Sequence, residues 1–234
     1  MANSDVKRVL VTGGNRGIGF AIAQGLLAKD FEVIMTARSL NSAQQAAQQL
    51  SGRVIPLELD ISSDRSITQA AETLRQKGIN QLDVLINNAG VYPDQDVTVL
   101  TTTREALLTG MNTNTFGVIR MVQTFLPLLE AAPTARVINV SSGMGSLNGL
   151  TTTAPSYCLS KLALNGTTIM LAESLHAKGI AVNSMCPGWV KTDMGGSSAP
   201  RSPEQGADTA IWLATQAPHD KTGKFWRDRR EISF

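Results

Sequence analysis

Long apolar runs are missing from this 234-residue sequence. The longest, such as Val9-Leu10-Val11 and Val84-Leu85-Ile86, have the length of strands, whereas a membrane span needs about 18–20 residues. Cysteine is nearly missing as well. Cys158 and Cys186 are too few for a disulfide framework and match no zinc-ligand spacing, so no metal is expected and both read as small buried apolar residues. Neither sign of charge dominates: 21 Lys+Arg stand against 19 Asp+Glu, and a nucleic-acid binder would carry a basic stripe. With 42% hydrophobic residues and a net charge of +2, disorder is excluded. The two histidines, His176 and His219, lie far in sequence from every motif below and are given no role. No linker, repeat or charge run divides the chain, and only Gly195-Gly196-Ser197-Ser198-Ala199-Pro200 reads as flexible. The opening Met1-Ala2-Asn3-Ser4-Asp5 lacks the apolar core of a secretory signal, which with the cysteine usage predicts a reducing, cytoplasmic location.

What is present is alternation. Apolar runs at residues 9–11, 32–36, 54–59, 82–86, 136–140, 180–185 and 224–227 are separated by helical stretches at 17–29, 41–50, 64–77, 101–130, 156–178 and 202–216. Pro127 is expected to break the fourth of these helices. Strands apolar on both faces, with helices between them, predict a parallel sheet covered on both sides. Right-handed crossovers make this an α/β, Rossmann-like, doubly wound parallel sheet of about seven strands flanked by helices. One domain over residues 1–234 is expected, with a dinucleotide half to about residue 90 and a catalytic and substrate half after it.

Thr12-Gly13-Gly14-Asn15-Arg16-Gly17-Ile18-Gly19 stands where the first strand hands over to the first helix. A pyrophosphate there needs backbone N–H donors and a close approach that β-carbons would block. Gly13 can make the tight turn, Gly17 admits the phosphates and Gly19 lets helix and strand pack. The second strand ends Thr36-Ala37-Arg38, where an NAD site usually has an acid for the ribose 2′-OH. Arg38, with Arg16 from the glycine loop, instead forms a clamp suited to a 2′-phosphate, which points to NADP(H) in preference to NAD(H). Asp60-Ile61 follows the third run, where Asp60 can hydrogen-bond the adenine. Its other reading is a cap for the helix near Asp64, a task open equally to Ser62 or Ser63. Asn87-Asn88-Ala89-Gly90 ends the fourth run, and its small residues let a ribose lie against the backbone. Asn87 can equally tie neighbouring strands.

Tyr157 and Lys161, four apart, share one face of a helix. Hydride delivery to a ketone leaves an alkoxide that needs a proton, and tyrosine can supply it, although its ordinary pKa near 10 is high. A lysine ammonium about 5 Å away contributes roughly 3 kcal/mol to tyrosinate at an effective dielectric of about 20. Ser142, just past the fifth run, can donate to the carbonyl oxygen and hold it beside the phenol. Singly, a snorkelling lysine, a core-edge tyrosine and a capping serine would explain these residues; together they point to catalysis.

With these motifs in order, the chain resembles the short-chain dehydrogenase/reductase (SDR) family over almost its full length. The resemblance rests on the glycine loop, Asn87 to Gly90, Ser141-Ser142, Tyr157-Cys158-Leu159-Ser160-Lys161 and Pro187-Gly188-Trp189-Val190-Lys191-Thr192. Thr36-Ala37-Arg38 and Gly223-Lys224-Phe225-Trp226-Arg227-Asp228 look most like its NADPH-dependent carbonyl reductase branch. The resemblance implies Tyr157 as general acid/base, Ser142 as substrate orienter and Lys161 as a tuner of Tyr157 that also binds the nicotinamide ribose. It implies Asn114 as holder of a proton-relay water, and Val190 and Thr192, after Pro187 and Gly188, as contacts of the nicotinamide carboxamide. The implied activity is NADPH-dependent reduction of ketones and aldehydes to alcohols, and the reverse oxidation.

Ser142 and Tyr157 are 15 apart, slightly more than the family's usual spacing, and the interval lacks the long insertion of the monomeric carbonyl reductases. A homodimer or homotetramer is therefore expected. The segment from Met194 to about Arg201 is short where relatives carry lid helices, which predicts an open pocket with broad substrate selection. Two other functions compete. Reduction of 3-oxoacyl thioesters on an acyl-carrier protein needs a basic docking patch, for which Arg201, Lys191 and Arg227-Asp228-Arg229-Arg230 are candidates. A non-catalytic NADP(H)-binding sensor or scaffold has no need of Ser142, Tyr157 and Lys161 together.

Overall fold

Alternate residues along each strand enter different cores. Leu10, Ile34, Leu85, Val137 and Val182 pack into one cluster, and Val9, Val11, Val33, Met35, Val84, Ile86, Ile138 and Met185 into another. The first cluster contains Ile67 and Leu74 with Phe125 and Leu175; the second contains Ile22 and Leu26 with Ala210 and Leu213. Period-two strands with both faces apolar thus make a sheet sandwiched between helices.

The computed structural model describes residues 6–234, so the reading made on residues 1–5 lies outside it. The strands are β1 (Arg8–Val11), β2 (Glu32–Ala37), β3 (Val54–Glu58), β4 (Val84–Asn87), β5 (Arg136–Val140), β6 (Ala181–Met185), β7 (Phe225–Arg227) and β8 (Arg230–Ile232). They form one sheet in the order β3-β2-β1-β4-β5-β6-β7-β8. All pairings are parallel except β7 with β8. The helices are α1 (Gly17–Leu27), α2 (Leu40–Ala47), α3 (Asp64–Gln76), α4 (Arg104–Met111), α5 (Gly117–Glu130), α6 (Pro155–Leu175) and α7 (Pro203–Thr215). The order reverses between β1 and β4, and the crevice at their carboxyl ends is where such sheets take ligands.

The seven expected strands are all present and parallel, one short strand is added to them, and one expectation needs correction. The sheet has an eighth strand, because residues 228 and 229 make a two-residue hairpin turn. Asp228 (φ 51°) and Arg229 (φ 60°) both adopt the left-handed conformation without the Asn-Gly signal that usually marks it. Arg201 holds Asp228, and Asp208 holds Arg229 through two hydrogen bonds. The long helical region is interrupted not at Pro127, which lies inside α5, but by a π-helix at Asn112–Phe116. There Gly117 presses on β3's following turn so closely that a Cβ would lie 2.3 Å from the Ile61 carbonyl oxygen.

Candidate active site

The loops after β1 and β4 are lashed together by Thr12 and Asn88. The Thr12 hydroxyl accepts from Asn88 N (2.9 Å) and Ala89 N (3.0 Å). Asn88 Nδ2 donates to the carbonyls of Thr12 (2.9 Å) and Gly13 (3.1 Å). The Asn88 side chain is therefore spent on shaping the loop. Gly13 (φ +61°) and Gly17 (φ +54°) take the left-handed backbone, and a Cβ on Gly19 would lie 2.3 Å from the Gly13 carbonyl oxygen. Helix α1 begins at Gly17 with Arg16 at its N-cap, no side-chain cap and no acid in its first turn. Its first N–H groups, around Gly17, Ile18 and Gly19 beyond Asn15, thus remain available to an anion, as a dinucleotide pyrophosphate requires.

Thr192 closes over this loop: a Cβ on Gly17 would touch its Cγ2 at 3.1 Å. Val190 is seated against Gly206 beside Ile18. The turn that brings both back uses Gly188 (φ +78°) after Pro187, with Lys191 N donating to Arg201 O at 2.9 Å. Asp60 Oδ1 accepts from the Ser62 amide (2.9 Å) and hydroxyl (2.7 Å), closing its own turn, and Ser63 caps α3. Ile61 is buried beneath it. Arg38 is exposed just past β2. Arg16 is exposed as well and is ion-paired with Asp193. Asn87 does tie strands, donating to Asn139 Oδ1 at 2.9 Å in the sheet interior.

Lys161 rises from α6 to the ends of β4 and β5. Its ammonium donates to Val140 O at 2.8 Å and sits 5.8 Å from the centre of the Tyr157 ring. A Cβ on Gly90 would approach that nitrogen to 3.6 Å, so the glycine leaves the space a ribose would need. Burial lowers the Lys161 pKa to about 8, against the opposing pull of Cys186. Burial pushes Tyr157 up to about 12; a hydrogen bond with Ser142 works the other way, and Cys186, Tyr92 and Cys158 add to the rise. Lys161 is not among the groups that shift the Tyr157 pKa in this structure. Lys161 donates to a carbonyl, and desolvation is the largest influence on the phenol.

Ser142 follows β5 and has two tasks, since its hydroxyl also accepts from Met144 N (3.1 Å) to cap the short turn Gly143–Gly145. That turn packs so closely on α6 that a Cβ on Gly145 would lie 2.5 Å from the Lys161 carbonyl carbon. Asn114 sits in the π-helix, fully buried. Its amide pairs with both backbone groups of Val91 (2.9 and 3.0 Å) and donates to Ser160 Oγ (2.9 Å). Its side chain is thus spent on joining β4's following loop to α6.

Three participants escaped the sequence reading. Ser160 passes the Asn114 contact on to Tyr157 O (2.9 Å), and its place inside Tyr157-Cys158-Leu159-Ser160-Lys161 was the available signal. Cys186 accepts from Gly143 N at 3.2 Å, so it is not only an apolar filler. Asp193 had no signal, because its partner lies across the fold. Within the candidate carrier docking patch, Arg201 and Arg227 share one carboxylate, Asp228, and Arg229 faces Asp208. Among the described residues no helix is long and apolar enough to cross a membrane, and no cluster of His, Cys, Asp and Glu is suited to a metal.

Comparisons with known proteins give the family and the fold. The family described as short chain dehydrogenase matches residues 7–202. A short-chain dehydrogenase of Penicillium roqueforti is 35% identical over 242 residues, covering 96% of this chain and 95% of the relative. A Homo sapiens protein named carbonyl reductase (NADPH) 1 is 32% identical over 285 positions, covering 97% of this chain and 98% of the relative. The crystal structure of NADPH-bound carbonyl reductase from chicken fatty liver superposes with a TM-score of 0.88 at 30% identity, covering 98% and 99% of the two chains.

Proposed function

Because the chain belongs to the short-chain dehydrogenase family of oxidoreductases, we propose that it is an NADPH-dependent reductase of ketones and aldehydes that also runs the reverse alcohol oxidation. The observation that carries this reading is the convergence of Tyr157, Ser142 and Lys161 beside the cradle of Gly13, Gly17 and Gly90. Reduced nicotinamide, when bound, supplies the hydride. With its pKa near 12, Tyr157 holds its proton throughout the neutral range and is a loaded acid for the carbonyl oxygen. Ser142, whose hydroxyl lies near enough to that phenol to oppose the rise in its pKa, orients the same oxygen. Lys161, with a pKa near 8, is mostly charged at pH 7 and lies where it can meet the ribose hydroxyls beside Gly90. Arg16 and Arg38 favour the 2′-phosphate of NADPH, in keeping with the cofactor named for the carbonyl reductase relatives.

The test is oxidation of NADPH and NADH, side by side, with a panel of ketones, aldehydes and a carrier-free 3-oxoacyl thioester, together with Tyr157→Phe. NADPH turnover lost in Tyr157→Phe supports the reading. Tight NADPH binding without any turnover would move the assignment to a sensor or scaffold.

We also infer self-association through α6. Leu159, Ile169 and Met170 are exposed around Gly166, a periodicity of one helix face, while Leu108 and Phe116 are exposed on the neighbouring α4 and π-helix.

A further inference from the structure

Helix α6 is the longest in the fold, with 21 residues, and it carries no cap of its own. Its N-cap is Ala154, at φ 54°, with no acceptor in its side chain, and Pro155 follows. The next amides face out of the helix end and need partners. Asp94, in the loop after β4, supplies them. Its carboxylate accepts from Ser156 N at 2.6 Å and Tyr157 N at 3.4 Å, with the Thr102 hydroxyl at 3.5 Å. The residue is 2% exposed, so a buried carboxylate is held by helix amides and a hydroxyl, and its charge complements the positive helix end. The residues before it grip the same region. Val91 pairs with Asn114, and the Tyr92 ring lies against the Tyr157 ring with centroids 4.5 Å apart at 41°.

We propose that Asp94 is a positioning residue for Tyr157: from 63 residues upstream it caps the catalytic helix and, with Tyr92, fixes the phenol against Ser142. This rests on reading Tyr157 as the acid. Loss of the carboxylate frees the first turn of α6, loosens the packing around the phenol and lets more water reach it. Greater access of water relieves the desolvation that raises the Tyr157 pKa, so its titration moves downward.

The chain has only two tyrosines, Tyr92 and Tyr157, so carbon-13 labelling of tyrosine Cζ gives two resonances, assigned with Tyr92→Phe. Asp94→Ala is expected to lower kcat about tenfold or more, the cost of a modest misplacement, with KM for NADPH unchanged. Its Tyr157 resonance should begin to titrate at lower pH than in the wild type between about pH 8 and 11. Asp94→Asn, which keeps an acceptor oxygen, should restore most of kcat. If Asp94→Ala does not fold, Asp94→Ser, too short to reach both amides, is read by the same measurements. A variant that melts earlier but keeps wild-type kcat and the wild-type Tyr157 resonance overturns the proposal and leaves Asp94 a cap only. Should the wild type reduce no carbonyl, the proposed activity fails, and the Tyr157 resonance alone decides the role of Asp94.

Discussion

Arg16, in the glycine loop, is ion-paired with Asp193, which lies 177 residues further along the chain. The carboxylate sits on the guanidinium expected to grip a 2′-phosphate, so the phosphate must replace it. Both side chains are well exposed, at 67% and 75%, and such a pair contributes about 0–1 kcal/mol. Asp193→Asn is therefore expected to lower KM for NADPH by up to about fivefold, with KM for NADH unchanged. Arg38→Ala should raise KM for NADPH about tenfold or more, as loss of a charged hydrogen bond does. Equal use of NADH and NADPH by the wild type would remove the basis for both.

Lys161 ties stability to pH. Its pKa is about 8 in the folded chain against an ordinary 10.5, so between those values the unfolded chain binds more protons and stability rises with pH. The burial cost of the charge, about 3 kcal/mol, is present in full below pH 8 and relieved by about pH 10.5. Lys161→Met escapes that cost at every pH. Its stability relative to the wild type, from urea unfolding, should hold level up to about pH 8 and then decline to pH 10; a constant difference across that range would contradict a depressed lysine.

The two directions of the reaction should respond differently to pH. Carbonyl reduction needs Tyr157 protonated, which a pKa near 12 secures, so its kcat should change little from pH 6 to 8. Alcohol oxidation needs the phenolate, and its rate should rise about tenfold per pH unit over the same range. Parallel profiles for both directions would place the proton elsewhere.

Self-association through α6 predicts that Ile169→Glu combined with Met170→Glu, both on exposed positions, yields monomers by sedimentation without loss of folded structure. A monomeric wild type would end that assignment.

The glycine loop, Tyr157, Lys161 and Ser142 were legible because local spacing encodes them: a strand-to-helix turn and one helix face. The sheet was legible from its period. What escaped depends on partners distant in sequence. Asp228 and Arg229 show no turn signal, since Arg201 and Asp208 hold the left-handed backbone in place of glycine. The phenol's raised pKa was missed because spacing reports charge and not the desolvation that α6 meets in the packed fold. Asn114 was placed on a helix, but the π-turn that aims its amide at Val91 and Ser160 follows from Gly117 seated on Ile61.

The closing hairpin also sets an order of assembly. During synthesis the nucleotide loop, the Asn114 turn and the catalytic helix all leave the ribosome before residue 228. Arg201, which backs Gly188 and forms an isolated β-bridge with Val190, receives its carboxylate only when Asp228 emerges. A nascent chain can thus build the nucleotide cradle while the wall formed by residues 188–201 still lacks its fastener, and a stop codon at position 228 should harm that wall before it harms the cradle.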